Sequence, residues 1–444
     1  MHRRPWWTIF RRRALPVLEV GKRGEHVALT LEVDLSATKS TRAMFFYISF
    51  LRPPPYQVSP GVPVAITPQV ANDLRTELYT EPQDIYYSWL PVTSPGAVSQ
   101  HPISIPKPVK LTTWREANAY REVSVPPPQG GRDGQTYRLV LTAHNQGYPY
   151  IVNLASAATG ERPLPVLSMP ITFSSRRGPG PAKQERVERV YRLCTDTGEQ
   201  MFLSVKEQTS FDLDKVHEPQ KVWDSGIGLS SWVTSLIQGT IDTSGSPLVS
   251  ELRAALVAQE CKLIELGAGT GIVSLAIGAL RSCRQGAEPR GCIITTDLAS
   301  AMPLLEENIA ANKALFRSAT ATPEAIVLDW DEQDLPPRVA STGTGFDVIL
   351  MADVTYNTAS FPALVRTLAA LLAIGDPAPT RAPPLVLLGY KERDPAERTL
   401  WDLAAAIGIA FERVGERAGA GGAPVEVWLA RARGGGSPKP CGED

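Results

Sequence analysis

The sequence predicts an α/β protein: a largely parallel sheet covered by helices on both faces, preceded by a smaller, mostly β region. Three observations predict it. Near-continuous apolar runs alternate with helical stretches through the C-terminal half, as in parallel strands buried on both faces. One run, Leu263-Ile264-Glu265-Leu266, passes directly into Gly267-Ala268-Gly269-Thr270-Gly271 and then an apolar helical stretch over 272–280. The N-terminal half instead carries short β-prone runs separated by proline-rich turns.

In chain order, residues 1–27 read as a basic extension. Positions 1–13 hold five arginines and no acid, interleaved with Trp6, Trp7, Ile9 and Phe10. Disorder is the expected state, and a mitochondrial import signal the alternative. Residues 28–173 read as a mostly β accessory region, with strands over 44–50, 137–142 and 165–173 and a short helix over 67–78. Its function would be substrate recognition, or only packing on the C-terminal domain. The stretch 174–184 (Ser-Ser-Arg-Arg-Gly-Pro-Gly-Pro-Ala-Lys-Gln) is composed like a linker. Runs over 187–193 and 200–205, flanking Thr195-Asp196-Thr197-Gly198-Glu199, read as a β-hairpin leading into the main domain, 185–432. Loops over 239–247 and 375–384 look like insertions. The tail 433–444 is expected to be disordered.

Glycines at alternate positions let backbone approach a ligand where a Cβ would collide. The spacing here is Gly-x-Gly-x-Gly, with Glu265 two residues before the first glycine. A dinucleotide site more usually spaces them Gly-x-Gly-x-x-Gly around a pyrophosphate. An acid beside the turn repels phosphate and suits a positively charged ligand, such as the ammonium and sulfonium of S-adenosylmethionine. A second strand, 292–297, ends in Asp297, placed to accept both ribose hydroxyls of a nucleoside or to cap the helical stretch over 301–314. A third, 325–328, runs into Asp329-Trp330, where an aromatic could cover an adenine or pack on the core. A fourth, 346–352, leads into Asp353-Val354-Thr355-Tyr356-Asn357; the fifth is 385–390. In such sheets ligands bind at the carboxyl ends of the strands. Gly267, Asp297, Trp330 and Asp353 all fall at such ends.

In these segments the chain resembles the seven-β-strand protein-lysine methyltransferases of methyltransferase family 16, the methyltransferase-like group. The resemblance covers about 187–430. It rests on Lys221-Val222-Trp223-Asp224-Ser225-Gly226, the Glu-Leu-Gly-Ala-Gly-Thr-Gly turn, Thr296-Asp297, Leu328-Asp329-Trp330 and Ala352-Asp353-Val354-Thr355-Tyr356, whose Asp-x-x-Tyr pattern is typical of the group. It implies a Rossmann-like, seven-stranded class I methyltransferase sheet, S-adenosylmethionine as donor and a lysine of a folded protein as acceptor. By position the cofactor contacts would be Trp223, Gly267, Ala268, Gly269, Asp297, Trp330 and Ala352. The turn itself adds Glu265 and Gly271. Asp353 and Tyr356 would border the acceptor lysine. One departure is Ser225-Gly226-Ile227-Gly228, where the family more often has small, Ala-rich sequence.

The chemistry constrains the acceptor side independently. A free lysine has a pKa near ~10.4 and must lose its proton before attacking a methyl group. Asp353 could orient the incoming amine, and Tyr356 could add an acceptor and an aromatic wall. The alternative is that Asp353 caps the next helix and Tyr356 packs against it. No metal is expected: His2, His26, His101, His144 and His217 show no pairing at ligand spacing. Balanced charge, 45 basic against 46 acidic residues, speaks against a general nucleic-acid or membrane-surface binder. The five cysteines are scattered, with no Cys-x-x-Cys pair, which suits a reducing compartment. The expectation is a monomeric cytoplasmic enzyme acting on a protein substrate, with no nucleic-acid or membrane partner. Nuclear or mitochondrial location is the alternative. Two other functions remain open: methylation of a small molecule in the same fold, or a cofactor-binding protein that has lost catalysis.

Overall fold

The computed structural model describes residues 45–92, 105–156, 158–176, 182–195, 197–209, 220–283, 289–375, 382–419 and 423–432. The basic extension, most of the 375–384 loop and the tail from 433 lie outside them. The described residues all belong to one compact unit.

The main sheet is built from β1 (Lys262–Leu266), β2 (Cys292–Asp297), β3 (Glu324–Val327), β4 (Val348–Ala352), β5 (Leu385–Tyr390), β6 (Glu412–Arg417) and β7 (Val425–Arg431). Their order is β3-β2-β1-β4-β5-β7-β6. The first five are parallel, and β7 runs antiparallel to both β5 and β6. This is the seven-stranded, Rossmann-like sheet that the sequence resemblance implies. Its helices are α1 (Asp224–Gln238), α2 (Pro247–Val257), α3 (Ile272–Ser282), α4 (Met302–Ala311), α5 (Pro337–Ala340), α6 (Phe361–Leu372) and α7 (Thr399–Ala406).

Alternation along the strands separates two cores. Leu263, Ile293, Val348, Leu350, Leu385 and Leu387 face α1 and α3. Ile264, Leu266, Ile294, Ile349, Met351, Val386 and Leu388 face α6 and α7. Helix α1 is buried all round, from Asp224 to Ile237, because a second layer covers its outer side. That layer includes the antiparallel hairpin of Arg186–Cys194 and Gln200–Gln208, whose Tyr191, Leu193, Leu203 and Val205 share a core with α1 and α3.

The hairpin also pairs with strands Ile151–Asn153 and Val166–Ser168. It thereby joins a nine-stranded sheet that runs through the N-terminal β region. A smaller three-stranded sheet contains Tyr47–Arg52, Val64–Ala71 and Val123–Val125. The short helix expected over 67–78 is not formed. Val64–Ala71 is a strand paired with Tyr47–Arg52, and turns connect it to Leu78. Proline is tolerated in the first turn of a helix but pushes the residue before it, Thr67, to extended backbone; here the run pairs as a strand, and Pro68 sits at a pairing irregularity that accepts it. The register shift opposite, between Phe50 and Arg52, is such an irregularity.

The N-terminal sheet is fastened to the main domain through its edge. The side-chain amide of Asn312 bonds both backbone groups of Ser204 (2.9 and 2.8 Å), and that of Asn308 both groups of Lys206 (2.9 and 3.2 Å). One turn apart near the end of α4, the two amides satisfy edge groups that a further strand would otherwise pair. Asn308 also donates to the carbonyl of Thr270 in the glycine turn (3.0 Å). Among the described residues, no helix is long and apolar enough to cross a membrane.

Candidate active site

Register places the carboxyl ends of three neighbouring strands side by side. Leu266 of β1 lies opposite Thr296 of β2 and Met351 of β4. Gly267, Asp297 and Ala352 therefore stand in one row along the sheet edge.

The turn after β1 takes left-handed backbone at Gly267 (φ 65°), Gly269 (φ 55°) and Gly271 (φ 80°). At Gly267 there is also no room for a side chain: a Cβ would sit 3.0 Å from Val354 and 3.3 Å from the Trp330 ring. At Gly269 a Cβ would point into open space, so this stretch of backbone is approachable from outside. Gly271 caps α3, pressed against Leu305. Ala268 donates its N–H to the carbonyl of Thr296 (3.0 Å).

Asp297 is half-buried. It accepts from the N–H of Gly269 (2.6 Å) and from its neighbour Leu298 (2.7 Å), so it locks the glycine turn to the end of β2. It does not cap α4, which starts from Ala301 without a side-chain cap. Burial pushes its carboxyl up from the ordinary range, and the two backbone donors oppose that. Trp330 is also half-buried, with its ring against the turn and its other side on the α6 face of the core.

Glu265 departs from the sequence reading. The acid does not stand open beside the turn: it is 2% exposed. Its carboxylate accepts from the hydroxyl and backbone N–H of Ser274, in the first turn of α3, and from Thr295 (3.2 Å). It anchors the start of α3 from below rather than offering charge to a ligand. Burial outweighs these hydrogen bonds and raises its pKa to about 7.

At the end of β4, Asp353 is a non-glycine residue in left-handed backbone (φ 63°). That conformation costs on the order of 1–3 kcal/mol and gathers at functional sites. The side chain is buried and does not cap the following turn, which is capped by Asn357. It accepts from Ser225 (3.1 Å) and from both terminal nitrogens of Arg393, one at 2.7 Å. Tyr356 is half-exposed rather than packed in the core. Trp223 precedes α1 in extended backbone. Its ring lies 4.1 Å from the Lys221 ammonium and 5.6 Å from the Arg393 guanidinium. The structure thus divides the sequence-derived residues between two ends. The glycine turn, Asp297 and Trp330 gather at one, Trp223 and Asp353 meet around Arg393 at the other, and Ala352 stands between them beside Gly267.

Several residues of the second end escaped the sequence reading. Arg393 is clamped between Asp353 and Asp73, the latter 2.9 Å away in the N-terminal β region. Lys391 bonds Asp224 at 2.5 Å and lies 3.7 Å from Asp73. Asp224 in turn accepts from the Tyr47 hydroxyl (2.6 Å). Burial is the largest influence on Asp73, but the cations Lys391 and Arg393 overcome it and hold its pKa down at about 2. At Asp224 burial prevails and gives about 6. Burial lowers Lys221 to about 7. Lys391 and Arg393 come directly after β5, so the rule that ligands bind at strand carboxyl ends could have flagged them. Asp73 sits in a turn far away in sequence, and no local signal marks it. Among the described residues, no cluster could hold a metal ion.

Comparison with known proteins bears on this arrangement. Residues 200–405 match a family model described as lysine methyltransferase. Protein-lysine N-methyltransferase EFM6 of Saccharomyces cerevisiae is 29% identical over 40% of this chain and 65% of its own length. EEF1A lysine methyltransferase 3 of Xenopus tropicalis is 32% identical over 24% and 40%. Protein N-lysine methyltransferase METTL21A of Danio rerio is 31% identical over 33% and 52%. The chain therefore spans roughly two fifths to two thirds of the length of these relatives.

Proposed function

We propose that this chain, whose residues 200–405 match the lysine methyltransferase family, transfers a methyl group from S-adenosylmethionine to a lysine side chain of a protein. The observation that carries the reading is the row of Gly267, Asp297 and Ala352 along one sheet edge, with strained Asp353 beside it. The approachable backbone at Gly269 and the half-buried carboxylate of Asp297 suit the amino-acid and ribose parts of the cofactor. Trp330 suits its adenine. When bound, S-adenosylmethionine supplies a methyl group on a sulfonium, open to in-line displacement by a neutral amine.

The protein's tasks are then to hold the amine in line and to let it lose its proton. Alignment alone is worth roughly 7–11 kcal/mol in well-organised sites. Asp353 and Trp223 border the acceptor end, and Tyr356 stands at its mouth. A carboxylate attracts the incoming ammonium and so favours capture over deprotonation. The proton leaves before attack, carried off by solvent. A relative named EEF1A lysine methyltransferase 3 makes EEF1A the first acceptor to try, and the location proposed with it is the cytoplasm. The protein is taken to act as a monomer and to need no nucleic acid.

The test is transfer of labelled methyl from S-adenosylmethionine to purified EEF1A, and to an extract lacking this protein. Wild type, Asp353→Ala and Asp297→Ala are run together. Wild type should label a discrete protein band. Asp353→Ala should lose at least 100-fold in rate, about 2.7 kcal/mol, while still binding cofactor, and Asp297→Ala should weaken cofactor binding about 10-fold or more. Label confined to small molecules would replace the lysine reading with methylation of a metabolite. Cofactor binding without transfer to anything would leave a non-catalytic binding protein.

A further inference from the structure

We propose that Asp73, supplied by the N-terminal β region from outside the matched segment, is a positioning residue that sets the charge of the acceptor end through Arg393. The proposal rests on the methyltransferase reading above and deepens it.

The argument starts from pairing. Arg393 grips both oxygens of Asp353. A one-to-one pair of that kind offers an approaching ammonium almost no net charge. Asp73 changes the balance. Its side chain is fully buried, with one oxygen 2.9 Å from Arg393 and the other 3.7 Å from Lys391. The guanidinium is thereby shared between two carboxylates. Taken together, Asp73, Asp224 and Asp353 stand against Lys391 and Arg393; protonated Lys221 brings the cluster to balance, and neutral Lys221 leaves it a surplus of one negative charge.

The neighbouring charges are met within the fold: Arg189 pairs with Glu207 at 2.9 Å, and Arg75, beyond Asp73, donates to the carbonyl of Thr209 (3.0 Å). Lys221 approaches from the segment before α1, on the Trp223 ring, and Tyr47 bonds Asp224 from the N-terminal strand. Glu397 accepts from the backbone N–H of Arg393 (3.3 Å). Lys221 titrates near neutrality, so a cation arriving at the acceptor end can be balanced by release of its proton. An acceptor ammonium is therefore drawn in by a charge that Asp73 maintains. The same charge raises the pKa of the bound amine, so tighter capture comes with a later alkaline onset of turnover.

The discriminating variant is Asp73→Asn, with Asp73→Glu as the conservative control. Turnover is followed against pH at saturating cofactor, with purified EEF1A as first acceptor or the protein fraction labelled in the transfer assay. The expected result has three parts. The apparent KM for acceptor rises roughly 3- to 10-fold while cofactor affinity, read by calorimetry, stays within twofold. The alkaline-rising limb of kcat moves to lower pH by roughly half to one unit. Below that limb kcat at saturating acceptor exceeds that of wild type, a gain that structural damage does not produce. Asp73→Glu should restore the wild-type limb.

An unmoved limb in folded Asp73→Asn overturns the proposal, as does parallel loss of cofactor affinity and kcat. Should Asp73→Asn fail to fold, Lys391→Gln supplies the opposite sign. It makes the cluster more negative, so the limb should move to higher pH, and no movement overturns the proposal. Wild type that labels nothing defeats the methyltransferase reading and this inference with it. Wild type that labels protein beside an unmoved limb defeats the inference alone.

Discussion

Glu265 illustrates how one side chain can stand beside an approachable glycine turn without facing its open side. It lies at the end of β1, yet Ser274 and Thr295 take up its carboxylate. A buried acid with a raised pKa carries a definite pH signature. From about 4.5, its ordinary value, to about 7, the folded protein holds a proton that the unfolded chain has released. Stability must therefore fall as pH rises through that window. The contribution is on the order of 3 kcal/mol, at ~1.4 kcal/mol per unit. Glu265→Gln removes the titration while keeping the shape and an acceptor oxygen. Urea midpoints measured from pH 5 to 8 should fall less steeply in the variant, and at pH 8 the variant should equal or exceed wild type. Asp224 and Glu397 also have raised values, about 6 and 7, so part of the slope persists. A variant slope identical to wild type would show that Glu265 does not titrate in this range.

Among the elements, α1 gives a physical reason for the departure in the family pattern. The Ser225-Gly226-Ile227-Gly228 run enters the helix where it passes closest to the sheet. A Cβ at Gly228 would lie 2.6 Å from the Val425 side chain, and one at Gly389 of β5 would lie 2.9 Å from Leu229. The two glycines bring helix and sheet to near backbone contact, and that holds Ser225 within 3.1 Å of Asp353. Helix propensity favours alanine over glycine by about 1 kcal/mol. At Gly228 overpacking should reverse that preference, since extra groups in a tight core cost about 1–3 kcal/mol. Gly228→Ala should lower the urea midpoint and weaken methyl transfer together, because α1 carries Ser225 and Asp224. A stabilised variant would mean that α1 can shift outward freely. Sequence alone revealed β1 to β5, each a short apolar run between turns or helical stretches, and the glycine turn through its Gly-x-Gly-x-Gly spacing. It marked neither β6, whose exposed Glu412–Arg417 run has no such pattern, nor β7, although Val425, Val427 and Leu429 alternate along it. Nor could it reveal Lys391 and Arg393 as partners of Asp353, because their roles arise from charges contributed by distant segments.

For the whole molecule, the decisive feature is that the N-terminal β region is not separable from the sheet that carries the site. Phe45, Tyr47, Tyr191, Leu203 and Val205 share one core with α1 and α3. Asn308 and Asn312 hold the edge strand by four amide bonds. Asp73 and Tyr47 complete the charges around Asp224, Lys391 and Arg393. Removing the region would expose the outer side of a helix buried all round. It would also leave Lys391 and Arg393 with one carboxylate fewer. Each fully buried leucine- or valine-sized side chain returned to water costs roughly 1.5–3 kcal/mol, and a whole layer of them exceeds the ~5–15 kcal/mol by which domains are stable. A fragment covering residues 220–432 should therefore lack a cooperative urea transition and bind a hydrophobic dye, although it contains the glycine turn, Asp297 and Asp353. Adding residues 45–209 as a separate chain should restore some cooperativity if the shared core is the cause. A fragment that unfolds cooperatively at the wild-type midpoint would show instead that the β region only rests on a self-sufficient domain, and the site's dependence on Asp73 would then have to be purely electrostatic.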